Sequence, residues 1–241
     1  MSKEQFEQAC ENLYGKMEKD GIKGIVQYKP FFDDYWTQNP RIVICNYEAF
    51  TLDRSLLDDV KPWLLTYCEF WYWLNEKENK KKKKGKSKTV HFTTMFVCAL
   101  LKLLKDPSTV FSKKEMKALF PDCKYLHQIM KNVMYMNIRP TWAKGNKQEK
   151  KPTNKIVRAY KNEIKEYIEA LDADIFIVTM TDGAKLFNAI FNLEKGSLVF
   201  NKNIELNKTK VFSMKHFCIP NYQYWCDKAK EMADAWHNSQ I

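Results

Sequence analysis

The sequence predicts a three-layer α/β/α fold around a central, mainly parallel four-stranded sheet. Four short apolar runs stand out as strands: Arg41–Cys45 (RIVIC), Val133–Ile138 (VMYMNI), Asp174–Thr179 (DIFIVT) and Thr209–Met214 (TKVFSM). Three of them lack clean polar alternation, which is expected when both faces of a strand are covered, as in a parallel sheet. Helix-like patterns precede, separate and follow them, and strands alternating with helices build layered α/β domains.

Taken in order, a helical pattern over Gln5–Lys19 precedes the first strand. Leu56–Leu74, Thr93–Leu104 and Lys113–Leu119 fall between the first and second strands, and Asn154–Leu171 between the second and third. Gly183–Asn192 follows the third strand and Tyr222–Trp236 the fourth. The low-complexity run KKKKKGKSK, Lys80–Lys88, is expected to be a surface loop within one domain spanning residues 1–241, with the loop at 79–89. In a eukaryote such a run can also serve as a nuclear localisation signal.

Composition narrows the function classes. Of the 241 residues, 45% are hydrophobic and 14% aromatic, enough for a buried core. Forty lysines and arginines against 29 acids give a net charge of +11, which favours polyanionic partners. The seven cysteines (Cys10, Cys45, Cys68, Cys98, Cys123, Cys218 and Cys226) form no C-x-x-C pair and most sit in apolar runs. They read as reduced, buried thiols and argue against a zinc ribbon or a cysteine-ligated iron–sulfur cluster. Residues 2–12 are charged and polar, so no secretory leader is expected. No apolar run approaches the ~18 residues of a membrane span. The expectation is a soluble intracellular monomer, cytoplasmic or, in a eukaryote, nuclear.

In sheets of this kind ligands bind beyond the carboxyl ends of the strands. Asn46, Tyr47, Glu48 and Phe50 follow the first strand. Asn137 ends the second, with Arg139 and Trp142 beyond it. Thr181-Asp182-Gly183-Ala184 open a helix after the third, and Lys215 and His216 follow the fourth. An asparagine amide offers a base edge both a donor and an acceptor. An aromatic ring can stack on a base face. A carboxylate can orient water, and a histidine can stabilise a departing anion. Each residue also has an ordinary structural reading as a turn, surface or core group. Their shared placement after successive strands is what favours a pocket for a planar heterocycle.

This order of elements resembles the uracil-DNA glycosylase superfamily. The strand RIVIC runs into NYEAF where the family has its first loop, and VMYMNIRPTW offers Asn137 where the family reads the base edge. IEALDADIFIVTMTDGAKLFNAIF is similar to the strand entering a small-residue helix start, and VFSMKHFCIPNYQYWCDKAKEMADAW places His216 in the last motif. The first loop departs from the family in lacking its glycines and proline, and Phe217-Cys218 stand where Pro-Ser is usual.

The resemblance implies DNA binding and hydrolysis of the N-glycosidic bond of a flipped-out uracil or modified base, without metal or organic cofactor. Glu48 or Asn46 would position water, and His216 would stabilise the leaving base. Tyr47, Phe50, Asn137 and Lys215 would hold the base. Lys144, Lys147, Lys150, Lys151 and the lysine run would contact phosphates, with Trp142 or Tyr222 wedging into the gap. The alternative is a catalytically inactive DNA-binding or interaction protein that keeps the fold, favoured if Tyr47 or Phe50 fills the pocket. A nucleotide-binding enzyme on an unrelated sheet ranks lowest, since no G-x-G-x-x-G or G-x-x-x-x-G-K-[ST] loop follows any strand.

Overall fold

The computed structural model describes residues 2–30, 33–47, 49–51, 63–65, 88–112, 114–115, 133–144, 150–217 and 219–239. A helical arm opens the chain. Ser2 caps α1 (Lys3–Cys10) through a capping box with Gln5. One π turn, Glu11–Gly15, leads into α2 (Lys16–Lys19). The arm stops at Gly21, φ +69, which gives the left-handed turn that lets Ile22 N–H reach the Met17 carbonyl at 3.0 Å.

Five strands form the main sheet: β2 (Ile42–Asn46), β5 (Val133–Asn137), β7 (Ile175–Thr179), β8 (Asn203–Leu206) and β9 (Thr209–Met214). Their order is β5-β2-β7-β9-β8. The first four are parallel, and β8 pairs antiparallel to β9 at the edge. The sheet is therefore five-stranded and mixed rather than four-stranded. β8 escapes a search for apolar runs because its sequence, NIEL, alternates and shows one face to solvent.

Alternate residues of the central strands serve two separate layers. Ile42, Ile44, Ile175, Ile177, Phe212 and Met214 pack with α3 (Lys88–Lys105) and α7 (Tyr222–Asn238). Val43, Cys45, Phe176, Val178 and Val211 pack with α1, α5 (Lys161–Ala170) and α6 (Thr181–Ile190). Helices thus cover both faces, and Ile42 through Cys45 are fully buried. That burial explains the unbroken apolar runs.

Two parallel pairs lie beside the main sheet. β1 (Val26–Tyr28) pairs with β4 (Trp63–Leu65), and β3 (Ala49–Thr51) with β6 (Trp142–Lys144). β4 falls within the helix expected over 56–74, so that stretch is not one continuous helix. Its aromatic and β-compatible residues suit a strand once β1 offers a partner. The helix expected over 154–171 is two: α4 (Lys150–Ala159) and α5, parted at Tyr160 (φ −114, ψ 28). The Tyr160 hydroxyl donates to Asp20 at 3.0 Å, tying that break to the end of the opening arm. The Lys-rich segment 79–87 lies outside the described residues, and Lys88 already opens α3, so the helix starts inside the loop expected at 79–89. No helix among the described residues is long and apolar enough to cross a membrane.

Candidate functional site at the carboxyl edge of the sheet

The strand register aligns Asn137, Asn46, Thr179 and Met214 in a row across the carboxyl ends of β5, β2, β7 and β9. From β2 the chain leaves toward β5, and from β7 it leaves the opposite way toward β9. The gap between β2 and β7 is therefore the topological switch point, where open α/β sheets receive ligands.

Asn46 sits at that point and is 3% exposed. Its Nδ2 donates to the Tyr135 hydroxyl on β5, and its Oδ1 accepts from the Thr179 hydroxyl on β7 at 2.6 Å. Both ends of the amide are engaged, so Asn46 braces three strands. Glu48, the other candidate for positioning water, lies outside the described residues.

Asn137 is 6% exposed. Its Nδ2 donates to the Tyr28 hydroxyl at 2.6 Å, while its Oδ1 and second Nδ2 hydrogen carry no bond among the described residues. Tyr28 is itself clamped. Its N–H donates to the Tyr14 hydroxyl at 3.1 Å, and its carbonyl accepts from the Tyr167 hydroxyl at 2.5 Å. Burial pushes all three phenols well above their ordinary range, so they act as neutral hydrogen-bonding groups. These tyrosines come from the opening arm, β1 and α5. Sequence reasoning missed them because no local pattern joins positions so far apart.

Tyr47, buried at 2% exposure, lies beneath a cavity of about 170 Å3 between α4 and α6. Asn154 and Arg158 of α4 and Asp182, Lys185, Leu186 and Ala189 of α6 complete its lining. Two neighbours fix the geometry of α6. Gly183 opens it against β7, where an added Cβ would lie 3.2 Å from Val178 Cγ1. Met180, just before it, adopts φ 73 and ψ 151, a conformation rare for any residue but glycine. Backbone strain of this kind gathers at sites where the surroundings over-determine a conformation.

Lys215 and His216 follow β9, two strands from β2 and so roughly 10 Å from Asn46 across the sheet. Lys215 donates its N–H to the Tyr224 hydroxyl at 2.9 Å, and its ammonium lies 4.7 Å from that ring's centre. His216 is partly buried, and burial holds its pKa below the ordinary histidine value, favouring the neutral imidazole. Asn46 and Asn137 are thus brought side by side in register, whereas His216 and Lys215 share their edge but not their immediate contacts. Tyr222 packs edge-on against Phe92 at 5.3 Å, so its ring is engaged within the protein.

Lys151 is exposed on α4. Lys147 lies outside the described residues, as do the side chains of Phe50, Trp142, Lys144 and Lys150, whose backbones belong to β3, β6, β6 and α4. Arg139, two residues past Asn137 and buried, donates from Nε to Thr141 at 2.7 Å and from NH1 to Thr153 at 3.2 Å. It thereby fastens the start of α4 to the end of β5.

Among the described residues no group of three or more His, Cys, Asp or Glu side chains could hold a metal ion. Cys10, Cys45, Cys98 and Cys226 are free thiols, and burial raises their pKa values. The raised values favour the thiol over the reactive thiolate. The sequence matches no protein-family model and no curated protein.

Proposed function

We propose that this protein binds DNA in the manner of a uracil-DNA glycosylase, takes a flipped-out base at the carboxyl edge of its sheet and hydrolyses the N-glycosidic bond. The observation that carries the proposal is the pair of buried asparagines in register at the switch point. Asn46 holds the strands, and the Asn137 amide has, among the described residues, an acceptor and a donor hydrogen left for a base edge.

In this reading Glu48 orients the attacking water, since the Asn46 amide is already engaged. A neutral His216 donates to the base oxygen as negative charge develops there. Phe50 supplies a stacking face, Lys215 adds positive charge near the leaving base, and Trp142 is the wedge. Lys144, Lys147, Lys150 and Lys151 neutralise phosphates. The protein works as a monomer without cofactor, in the cytoplasm or, in a eukaryote, the nucleus.

The test is incubation with duplexes carrying uracil and a panel of modified bases, followed by alkaline cleavage of abasic sites. His216→Ala is expected to lower turnover by ~100-fold or more while DNA binding persists. Glu48→Gln should fall further in rate than Asn46→Ala, which should chiefly lose stability. A second reading, binding without cleavage, is favoured by Tyr47, whose buried ring fills space next to the switch point. Base-dependent binding with no strand breaks from any duplex would select it.

A further inference from the structure

The described helices mostly set their cations beside acids. Lys16 pairs with Asp20, Lys165 with Glu169, Lys228 with Glu231 and Lys230 with Asp234. Two of these helices hold no acid, α3 and α4, and α4 is the more densely cationic. Its sequence, KKPTNKIVRA, holds four cations and no acid. Lys150 and Lys151 stand in its first turn, where the positive end of the helix dipole opposes them.

Lys151, Lys155 and Arg158 are all exposed and fall at i, i+4 and i+7, one stripe along the helix. None of the three has an ion pair or hydrogen bond from its side chain among the described residues. Arg158 also lines the cavity over Tyr47, facing Lys185 of α6. Asp182, in the same lining, lies 3.5 Å from the Lys185 ammonium and offsets part of that charge. Among the described residues the stripe's own three charges have no ion-pair partner.

We infer that this face of α4, together with Lys185, is a track for a nucleic-acid backbone running past the switch-point cavity. Lys151, Lys155 and Arg158 span about 10 Å along the helix at 1.5 Å per residue. A DNA strand carries one phosphate about every 3.4 Å of axis, so the stripe spans about three phosphate spacings. Arg158, with a planar fork of donors, holds the phosphate nearest the cavity mouth, and Lys185 holds it from the other side. Charge complementarity favours a polyanion, and the adjoining cavity, with its amide, carboxylate and aromatic lining, favours one that carries bases. The inference rests on the reading of this protein as DNA-binding, and adds Lys155, Arg158 and Lys185 as the residues that hold the strand.

The experiment is fluorescence anisotropy with labelled single-stranded and duplex oligonucleotides over a range of salt. It compares the full chain with Lys155→Ala/Arg158→Ala, Lys185→Ala and Lys155→Glu/Arg158→Glu. Alanine suits an exposed helix position, and matching circular dichroism and melting curves would show that the fold is kept. The double alanine variant is expected to bind about tenfold more weakly to all sequences alike, with a log–log salt slope shallower by about one for each phosphate no longer neutralised. The glutamate pair should abolish binding.

Variants that bind like the parent would overturn the inference. So would a parent that binds polyglutamate or phosphatidylserine vesicles as tightly as DNA, which would assign the stripe to an acidic protein or a membrane surface. The two readings fail separately. Binding that depends on Arg158 but ignores base identity keeps the track and removes the base site. Binding that prefers one base but ignores α4 does the reverse.

Discussion

At the scale of single residues, the site rests on hydroxyl–amide contacts more than on charge. The Asn137 amide is held by one phenol, Tyr28, and that phenol belongs to a residue whose backbone is gripped by two others. Tyr28→Phe removes only an oxygen. It should cost about 1 kcal/mol in chemical denaturation, the usual worth of one such bond. Its sharper effect should be on base discrimination, because the amide becomes free to rotate, while the salt dependence of DNA binding stays unchanged. Equal discrimination by Tyr28→Phe and the parent would remove Tyr28 as a positioning residue.

His216 yields a second expectation. Its folded-state pKa lies below the unfolded value, so at mildly acid pH the unfolded chain binds more protons than the folded one. Stability from this source is complete above the unfolded pKa of about 6.5, and declines as pH falls from there toward the folded pKa. His216→Asn should flatten that part of the stability–pH curve. A variant whose curve superimposes on the parent's between pH 7 and 5 would contradict it.

At the scale of elements, the four parallel strands were legible because their burial on both faces writes itself as apolar runs, and the placement of Asn46, Asn137 and His216 at the carboxyl edge was legible because each ends or follows such a run. The structure adds what runs cannot report. β8 is short and half-exposed. β1, β3, β4 and β6 are three residues each, and three-residue strands exist only through a partner distant in sequence. The tyrosine clamp was missed for the same reason, since it depends on which elements the fold sets side by side; of the cations on α4, Lys150 and Lys151 were expected as phosphate contacts, and Lys155 and Arg158 were not.

Arg139 shows how such a placement is held. The buried guanidinium reaches Thr141 beside it and Thr153 on α4, joining the end of β5 to the cationic helix. Arg139→Met keeps the length of the side chain but strips the donors that reach the buried Thr141 and Thr153 hydroxyls. The expected cost is roughly 2–4 kcal/mol by denaturant titration, since bonds to charged groups carry ~1.5–3 kcal/mol each. Exchange of the α4 amides should quicken more than that of β2. Uniform quickening across both elements would mean that Arg139 serves general stability and not the docking of α4.

At the scale of the whole molecule, the two edges of the sheet are built differently. The strand ends at the carboxyl edge carry neutral amides and a hydroxyl, Asn137, Asn46 and Thr179, and the amino edge holds an ion network. Arg41, just before β2, donates to Asp172 at 2.7 Å and to Asp174 at 3.4 Å, and Lys208 from the β8–β9 turn meets Asp172 at 2.7 Å. The Arg41 N–H also donates to Asp174 at 2.7 Å. The network therefore links the starts of β2, β7 and β9, setting the register that brings their far ends level.

Burial alone would raise the Asp172 pKa, but hydrogen bonds from Lys208 and Arg41 outweigh it and hold the carboxyl at about 2. A carboxylate with a depressed folded-state pKa stabilises the fold fully above its unfolded pKa of about 3.9, and this contribution is lost as pH falls toward 2. Asp172 and Arg41 are 9% and 15% exposed, so solvent screens their pair little, whereas Lys208 is 61% exposed and its share is screened. Asp172→Asn should therefore cost up to about 2 kcal/mol at pH 7, and the gap from the parent should close between pH 4 and pH 2. Because the network sits at the opposite edge from Asn137, the variant should keep its oligonucleotide affinity at neutral pH while melting earlier. A constant gap between the two proteins down to pH 2 would show that Asp172 acts through packing and not through its charge.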